Sequence, residues 1–203
     1  MKYLVAALAC LISCSLISQE NRNDTLIHLK NYSVVYSKKY LQPVEVWYEV
    51  QCPSNSRKSE DCNYGFTKTI GDSIGIKTSN DQHYNKIWEK GHMAARASLA
   101  CSCDDVEETF TFLNCALQHN KLNGGLWLKL EKKERKEAEN NTVSVHIKVK
   151  FNDKTHFPGD VLRPSGFYKT LIINGDSTNY YFRNTFYQRK KLEHCIIENK
   201  FQN

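Results

Sequence analysis

Alternating hydrophobic and polar positions mark the parts of the chain that should form strands. Valine, isoleucine and aromatic side chains alternate with polar ones in VEVWYEV (44–50), VSVHIKVKF (143–151) and FYKTLIIN (167–174). TFTFLN (109–114) is a shorter run of β-forming residues. Because successive side chains of a strand point to opposite faces, this pattern predicts strands that each bury one face. Residues 19–33 are polar and predict a mobile or capped N-terminal stretch instead.

A different period predicts one main helix over residues 122–140. Leu122, Leu126, Trp127 and Leu130 recur at helical spacing, and lysines and glutamates occupy most of the remaining positions. On a helix, that spacing gives one apolar stripe and a charged opposite face. Strands before and after a single long amphipathic helix predict an α+β fold with a mainly antiparallel sheet.

The N-terminus carries the pattern of a secretory signal. Lys2 precedes an apolar stretch with small residues towards its end, so residues 1–18 are expected to be cleaved and residues 19–203 to form a single domain. The alternative is a membrane anchor, but the run is shorter than the roughly 20 apolar residues that span a bilayer. We therefore expect an exported, extracellular protein.

Removal of that signal leaves six cysteines, and an even number in an exported chain predicts three disulfides and no free thiol. Cys52 and Cys62 bracket a polar stretch and form the best local pair, and Cys195 is expected to staple the C-terminal segment to the rest of the fold. Cys101 and Cys103 are too close to pair with each other without strain, so each should reach elsewhere. The alternative is a zinc site built from Cys101, Cys103, Cys115 and a histidine, although CxC lacks the usual ligand spacing.

Two further features fit an exported protein. N-glycosylation sequons begin at Asn23, Asn31 and Asn140, which predicts a glycoprotein. The chain has a formal net charge of +6, and the predicted signal removes only Lys2 from that balance. A modest positive charge is compatible with a polyanionic partner such as nucleic acid, but it does not identify one.

The segment around His92 is the first candidate for chemistry. EKGHMAARAS (89–98) places this histidine directly after a glycine and before several small residues. One histidine out of seven would more often be structural than catalytic. The interpretation therefore depends on two later blocks, TFTFLNCALQHNKLNGGLWLKLE (109–131) and VLRPSGFYKTLI (161–172).

The three ordered blocks resemble the DNA/RNA non-specific endonucleases, the ββα-metal (His-Me finger) family that includes the mitochondrial endonuclease G-type enzymes. The first block is similar to the family's DRGH-type motif, and the third to its Pro-x-x-Phe-Tyr-Lys strand. The second block matches the family's spacing at six positions: Asn114, Gln118, Asn123, Trp127, Leu130 and Glu131. The resemblance implies a ββα-metal finger with one long helix carrying the metal site, here stapled by disulfides.

The resemblance also implies a role for each matched residue. His92 falls on the general base, Asn123 on the direct metal ligand, and Glu131 on the carboxylate that holds metal-coordinated water. Asn114 would support the histidine turn, and Arg135 matches an arginine that contacts the substrate phosphate. The implied cofactor is Mg²⁺, with Mn²⁺ as a substitute, and the implied substrates are DNA and RNA.

The chemistry of phosphodiester hydrolysis fits these residue types. Histidine has an unperturbed pKa of about 6.5 and can deprotonate water near neutral pH. A divalent cation and a nearby basic side chain can stabilise the negative charge that develops on the phosphate. Hard Mg²⁺ prefers oxygen ligands and keeps several waters, so one asparagine and one more distant glutamate suffice as protein anchors.

The chain departs from the family pattern in three places. Glu89 and Lys90 replace the Asp-Arg pair before Gly-His; Lys90 keeps the charge that would grip phosphate but loses the bidentate fork. Ser98 stands where the family has an aspartate, and Leu117 where it has a proline. These changes bear on rate and substrate preference rather than on the reaction.

Other interpretations of the same residues remain open at this stage. Asn123 could be the N-cap of the helix, and Glu131 and Arg135 could form a surface i,i+4 salt bridge. The alternative function is that of a secreted binding protein with a nuclease fold and weak or no catalytic activity. The sequence favours a secreted, metal-dependent endonuclease with little sequence specificity.

Overall fold

The structure is a computed structural model that describes residues 24–55, 64–156, 161–186 and 191–198; the side chains of residues 104 and 153–156 are not described. The predicted signal, the sequon asparagine at 23 and Cys62 lie outside these residues. Within them, no helix is both long and apolar enough to cross a membrane.

A seven-stranded antiparallel sheet forms the centre of the fold. Its strands lie in the order β1-β2-β3-β6-β7-β8-β9. Their bounds are β1 Asp24–His28, β2 Tyr32–Ser37, β3 Gln42–Glu49, β6 Val143–His156, β7 Leu162–Ile173, β8 Asp176–Arg183 and β9 Ile196–Ile197. Neighbours in sequence are mostly neighbours in the sheet, but β6 follows β3 across a long insertion. That insertion carries the candidate site.

The insertion contains a second, two-stranded sheet and the helices. Its strands are β4 Trp88–His92 and β5 Cys115–His119, paired antiparallel so that His92 lies opposite Cys115. The α-helices are α1 Thr69–Ser73, α2 Arg96–Leu99, α3 Cys103–Thr109, α4 Asn120–Leu122 and α5 Leu128–Glu137. A π-helical segment, Asn123–Trp127, joins α4 to α5, and short 3₁₀ helices cover Asp81–His83, Phe112–Asn114 and Leu192–Cys195.

The helix packs its apolar stripe against one face of the large sheet. Trp127 is fully buried, with its ring centroid 5.4 Å from that of Phe167 on β7 and 5.7 Å from that of Phe182 on β8. Tyr168 and Tyr181 stand at alternate positions of the same strands and stack on each other, with ring centroids 4.7 Å apart, on the opposite face. The helix and the site therefore lie on one side of the sheet.

Most of the predicted elements are present. The α+β class, the antiparallel sheet and the strands at 44–50, 143–151 and 167–174 are confirmed. The strand expected at 109–114 is wrong, because these residues end α3 and form a 3₁₀ turn; the Thr111 side chain accepts a hydrogen bond from the Leu113 amide there. The irregular stretch expected at 19–33 is wrong for its described part, which contains β1 and the start of β2.

The main helix is present with different ends and an interruption. Helical structure runs from Asn120 to Glu137, and the side chain of His119 caps it by accepting a hydrogen bond from the Lys121 amide at 3.1 Å. Asn123 is therefore not the N-cap; it lies one turn inside. Gly125 departs from helical dihedrals (φ −109°, ψ −112°), and the π segment accommodates this change.

The cysteines pair differently from the expectation. Cys52 bonds Cys101, with their Cα atoms 5.3 Å apart, so the predicted Cys52–Cys62 pair and the zinc alternative are both wrong. Cys103 is also disulfide-bonded. In the described part of the chain, Cys115 is a buried thiol and not half of a disulfide, so the expectation of three disulfides without a free thiol is wrong.

Candidate active site

Strand β4 brings His92 to the end of the two-stranded sheet. Gly91 packs so closely against the facing strand that a Cβ at this position would lie 2.7 Å from the Cβ of Gln118. Real Cβ atoms do not approach that closely, so only glycine allows β4 and β5 to pair tightly here. The glycine before His92 is thus required by packing, and it fixes where the histidine stands.

Asn114 holds the segment that follows His92. Its Oδ1 accepts a hydrogen bond from the Ala94 amide at 2.7 Å, and its Nδ2 donates to the carbonyls of Ala94 at 2.9 Å and Thr109 at 3.0 Å. Its carbonyl accepts from the Met93 amide at 3.0 Å. Asn114 is fully buried, and its amide satisfies three backbone groups at once. The chain after the histidine is therefore rigid.

Aromatic side chains surround the imidazole of His92. Its ring centroid lies 4.6 Å from that of Phe66 and 4.8 Å from that of Phe110. The Nε2 atom is buried and makes no hydrogen bond with any described residue. Burial, with a smaller contribution from the charge of Arg96, lowers the pKa of His92 to about 3. The imidazole is therefore neutral at physiological pH, and its Nε2 can still accept or donate a hydrogen bond.

Asn123 lies in the π segment and faces β4. Its Nδ2 donates a hydrogen bond to Oε2 of Glu89 at 3.0 Å. The Oδ1 atom of Asn123 takes no part in this hydrogen bond, and the amide lies beside the Glu89 carboxylate. A π segment often occurs at functional sites because the additional residue redirects side chains. Asn123, Glu89 and Lys90 line a cleft with a volume of about 540 Å³.

Glu131 lies eight residues further along, roughly two helical turns, beside a buried charge network. Lys169 on β7 is fully buried; its Nζ is 2.6 Å from Oε1 of Glu134 and 4.3 Å from the ring centroid of Trp127. The Tyr48 hydroxyl donates to the other oxygen of Glu134 at 2.8 Å. Burial is the main cause that raises the pKa of Glu131 to about 7, and the charge of Lys169 opposes it.

Lys90 lines the cleft, whereas Arg135 is buried. Lys90 lines the cleft with its Nζ 2.5 Å from Oδ1 of Asp81, so its charge is shared with that carboxylate. Arg135 is buried, with 6% of its surface exposed, and its Nη1 donates to Oγ of Ser98 at 3.4 Å. This burial excludes a surface ion pair with Glu131, and Arg135 instead connects α5 to α2 through Ser98. The contact of Arg135 with the substrate phosphate stays a prediction.

Several residues of the site were not identified by sequence reasoning. Glu89, which departs from the family motif, contacts Asn123. Arg96 acts on His92 through its charge and lies over the ring of Phe110, with Cζ 5.5 Å from the centroid. Arg96 is four residues after His92, and this spacing in the sequence could have indicated that the two side chains lie close together. Phe66 gave none, because it is 26 residues before His92 in an irregular segment.

The side chains present fit a hard divalent cation. No three histidine, cysteine, aspartate or glutamate side chains cluster as a ligand set among the residues that the structure describes. The cleft instead offers oxygen donors from an asparagine amide and from carboxylates. Such a set suits Mg²⁺, which binds few protein groups directly and retains water, and it does not suit zinc.

The two-stranded sheet ending at His92, followed by a helix carrying Asn123 and Glu131, defines a ββα-metal nuclease. The family model for DNA/RNA non-specific endonucleases matches residues 14–201, and the chain belongs to that family. The fold matches a crystal structure of the EndoG/EndoGI complex, which concerns the mechanism of EndoG inhibition. The TM-score is 0.68 with 18% identity, covering 85% of this chain and 80% of the other. No curated protein matches the chain.

Proposed function

We propose that the protein is a secreted, Mg²⁺-dependent endonuclease that hydrolyses phosphodiester bonds in both DNA and RNA with little sequence specificity. The observation that carries the proposal is the neutral His92, whose buried Nε2 makes no hydrogen bond with a described residue. Its ring packs against Phe66 and Phe110, which line the same cleft as Asn123. A buried nitrogen without a hydrogen bond is costly, so its retention favours a group that receives a proton during the reaction.

His92 acts as the general base in this proposal. It takes a proton from the attacking water at Nε2, while Asn114 holds the chain after it. A base with a pKa of about 3 is weak, but an approaching phosphate diester brings negative charge and water to the imidazole. Both changes favour the protonated form, so substrate binding raises the basicity when it is needed.

Asn123 and Glu131 hold the cation in this proposal, Asn123 through its amide oxygen and Glu131 from about two turns further along. When bound, the divalent cation stabilises the negative charge of the scissile phosphate and of the leaving oxygen. Glu89 orients the amide of Asn123 by accepting its Nδ2 hydrogen bond. Mn²⁺ would substitute for Mg²⁺ because both accept oxygen ligands in octahedral geometry.

Secretion is supported by the signal-like N-terminus and by the Cys52–Cys101 disulfide, which persists in oxidising compartments. The two described sequons differ in accessibility. Asn140 is exposed in the turn after α5, whereas Asn31 is 7% exposed with its Nδ2 buried. A glycan is therefore proposed at Asn140 and not at Asn31.

The test is digestion of plasmid DNA and of RNA in Mg²⁺, Mn²⁺ and EDTA, followed by a metal titration of two variants. Wild type should cut both substrates with either metal and neither in EDTA. Asn123→Ala should be inactive at any practical Mg²⁺ concentration because it loses the direct ligand. Glu131→Gln should lose roughly 10–100-fold and recover partly as metal rises.

Two results would contradict this assignment. If wild type cuts nothing with either metal but binds nucleic acid, the inactive binding protein with a nuclease fold is the correct interpretation. If Asn123→Ala is rescued by metal while Glu131→Gln is inactive, the roles of the two residues are reversed.

A further inference from the structure

An aromatic wall borders the cleft beside the proposed reaction centre, and two of its rings, Phe66 and Phe110, also pack on His92. Tyr64, Phe66 and Phe110 line the cleft together with Glu89, Lys90 and Asn123, and the Lys90 Nζ lies 5.6 Å from the centroid of the Phe66 ring. Tyr64 is 37% exposed, so its ring is available from solvent. The volume of about 540 Å³ falls within the range of roughly 300–1,000 Å³ found for small-molecule sites.

Backbone hydrogen bonds hold this wall in place. The Thr67 amide donates to the Phe110 carbonyl at 2.8 Å, and the Phe112 amide donates to the Thr67 carbonyl at 3.0 Å. The Phe66 and Phe110 rings contact each other with centroids 5.2 Å apart, and Tyr64 follows at 6.4 Å from Phe110. An aromatic surface that is already ordered can stack a flat ligand without losing side-chain entropy on binding.

The charges of the cleft indicate which part of a nucleic acid would enter. Glu89 and Asp81 both line it, and Asp81 already pairs with Lys90. Carboxylates repel a phosphate but accept hydrogen bonds from the amino groups of a base. A flat base with donor groups therefore fits the cleft beside the aromatic rings.

We propose that the wall of Tyr64, Phe66 and Phe110 is a stacking subsite for one unpaired nucleobase next to the scissile phosphate. In a duplex both faces of a base are covered by its neighbours, so it enters only after unstacking. The subsite therefore favours single-stranded DNA or RNA over duplex. This inference rests on the proposed nuclease function and adds the substrate form to it.

The test uses short oligonucleotides in which one phosphodiester lies among cleavage-resistant phosphorothioates. The single-stranded substrate is compared with versions that lack the base on the 5′ or the 3′ side of that bond, and with its duplex. For wild type, removal of the base on one side should lower kcat/KM roughly 5- to 150-fold, the range of one base–aromatic stack. Tyr64→Ala should lose that sensitivity while cutting the duplex at the wild-type rate.

Two further variants separate stacking from folding. Phe66→Leu keeps apolar bulk beside His92 and should also lose sensitivity to the missing base. Tyr181→Ala removes a partly buried tyrosine on the opposite face of the sheet and should behave as wild type. If wild type is indifferent to the missing base, or if Tyr64→Ala slows all substrates equally, the subsite does not exist.

A binding measurement keeps this inference separate from the nuclease proposal. In EDTA, a single-stranded oligonucleotide containing 2-aminopurine should lose fluorescence on binding wild type, because stacking on an aromatic ring quenches it. Tyr64→Ala should bind with the quench reduced. Quenching without any cleavage in Mg²⁺ would sink the nuclease proposal and leave the stacking subsite standing. Equal fluorescence for wild type and Tyr64→Ala would overturn the subsite whatever the activity.

Discussion

Glu131, a proposed metal-site residue, has a charge that responds to pH near neutrality. Its pKa is raised to about 7, so the carboxylate loses its charge as pH falls through neutrality. His92 does not titrate in that range in the free protein because its pKa is about 3. In the proposed mechanism, the protein therefore binds a divalent cation more weakly below pH 7.

We expect activity at limiting Mg²⁺ to fall between pH 8 and pH 6, with a midpoint near 7 that moves to lower pH as Mg²⁺ is raised. The shift follows because a bound cation favours the carboxylate over its protonated form. The measurement is kcat/KM against pH at several metal concentrations. Glu131→Gln should show a flatter profile over this range. The same midpoint in Glu131→Gln, or one that ignores metal, would show that another group titrates.

Individual residues also show where sequence reasoning reached its limit. His92, Asn114 and Asn123 could be identified as candidate site residues because the sequence itself contains the order and spacing of the motifs. The burial of Arg135 could not, because KKERK (132–136) is a uniformly charged run in the sequence. In the structure Glu134 and Arg135 are both buried, and each depends on a partner from another element.

At the scale of elements, the ion pair between α5 and β7 joins the helix to the large sheet. Lys169 and Glu134 are both fully buried, and Tyr48 on β3 donates to the same carboxylate. Removing one partner of such a pair leaves a buried charge without compensation, which costs far more than the pair itself contributes.

We expect Lys169→Met to lower the free energy of unfolding by about 3–5 kcal/mol. The double variant Lys169→Met/Glu134→Gln should recover most of it, because glutamine still accepts the Tyr48 hydrogen bond without a charge. Urea denaturation measures both. The matched control is Lys148→Met, an exposed lysine paired with Glu45 on the neighbouring strand, with an expected loss below about 1 kcal/mol. Equal losses for the two lysines would show that Lys169 is not structural.

The elements themselves were predictable to different degrees. The strands β3, β6 and β7 follow from alternation because each buries one face. The interruption at Asn123–Trp127 was indicated only by Gly124-Gly125, which lowers helix stability without specifying a π segment. This interruption means that the distance and angle between Asn123 and Glu131 do not follow from regular α-helix geometry.

At the scale of the whole molecule, the sheet order and the disulfides depend on contacts that sequence spacing does not contain. β3 and β6 pair although more than 90 residues separate them, and the site insertion lies between. Cys52 pairs with Cys101 and not with the nearer Cys62, because β3 runs directly to α2: the Gln51 and Cys52 amides both donate to the Ser98 carbonyl. Local proximity in sequence was the wrong criterion.

At this scale, the proposed function depends on the fold presenting His92 as the base of a nuclease. The most direct test is single-turnover cleavage by His92→Ala, with added imidazole and with His146→Ala as the matched control on the large sheet. Loss of the base should lower the rate about 10²–10⁴-fold or more, with folding and Mn²⁺ binding retained. Imidazole should restore part of the activity by occupying the space between Phe66 and Phe110, and His146→Ala should cut at the wild-type rate. Near-normal cleavage by His92→Ala without imidazole would contradict this role of His92.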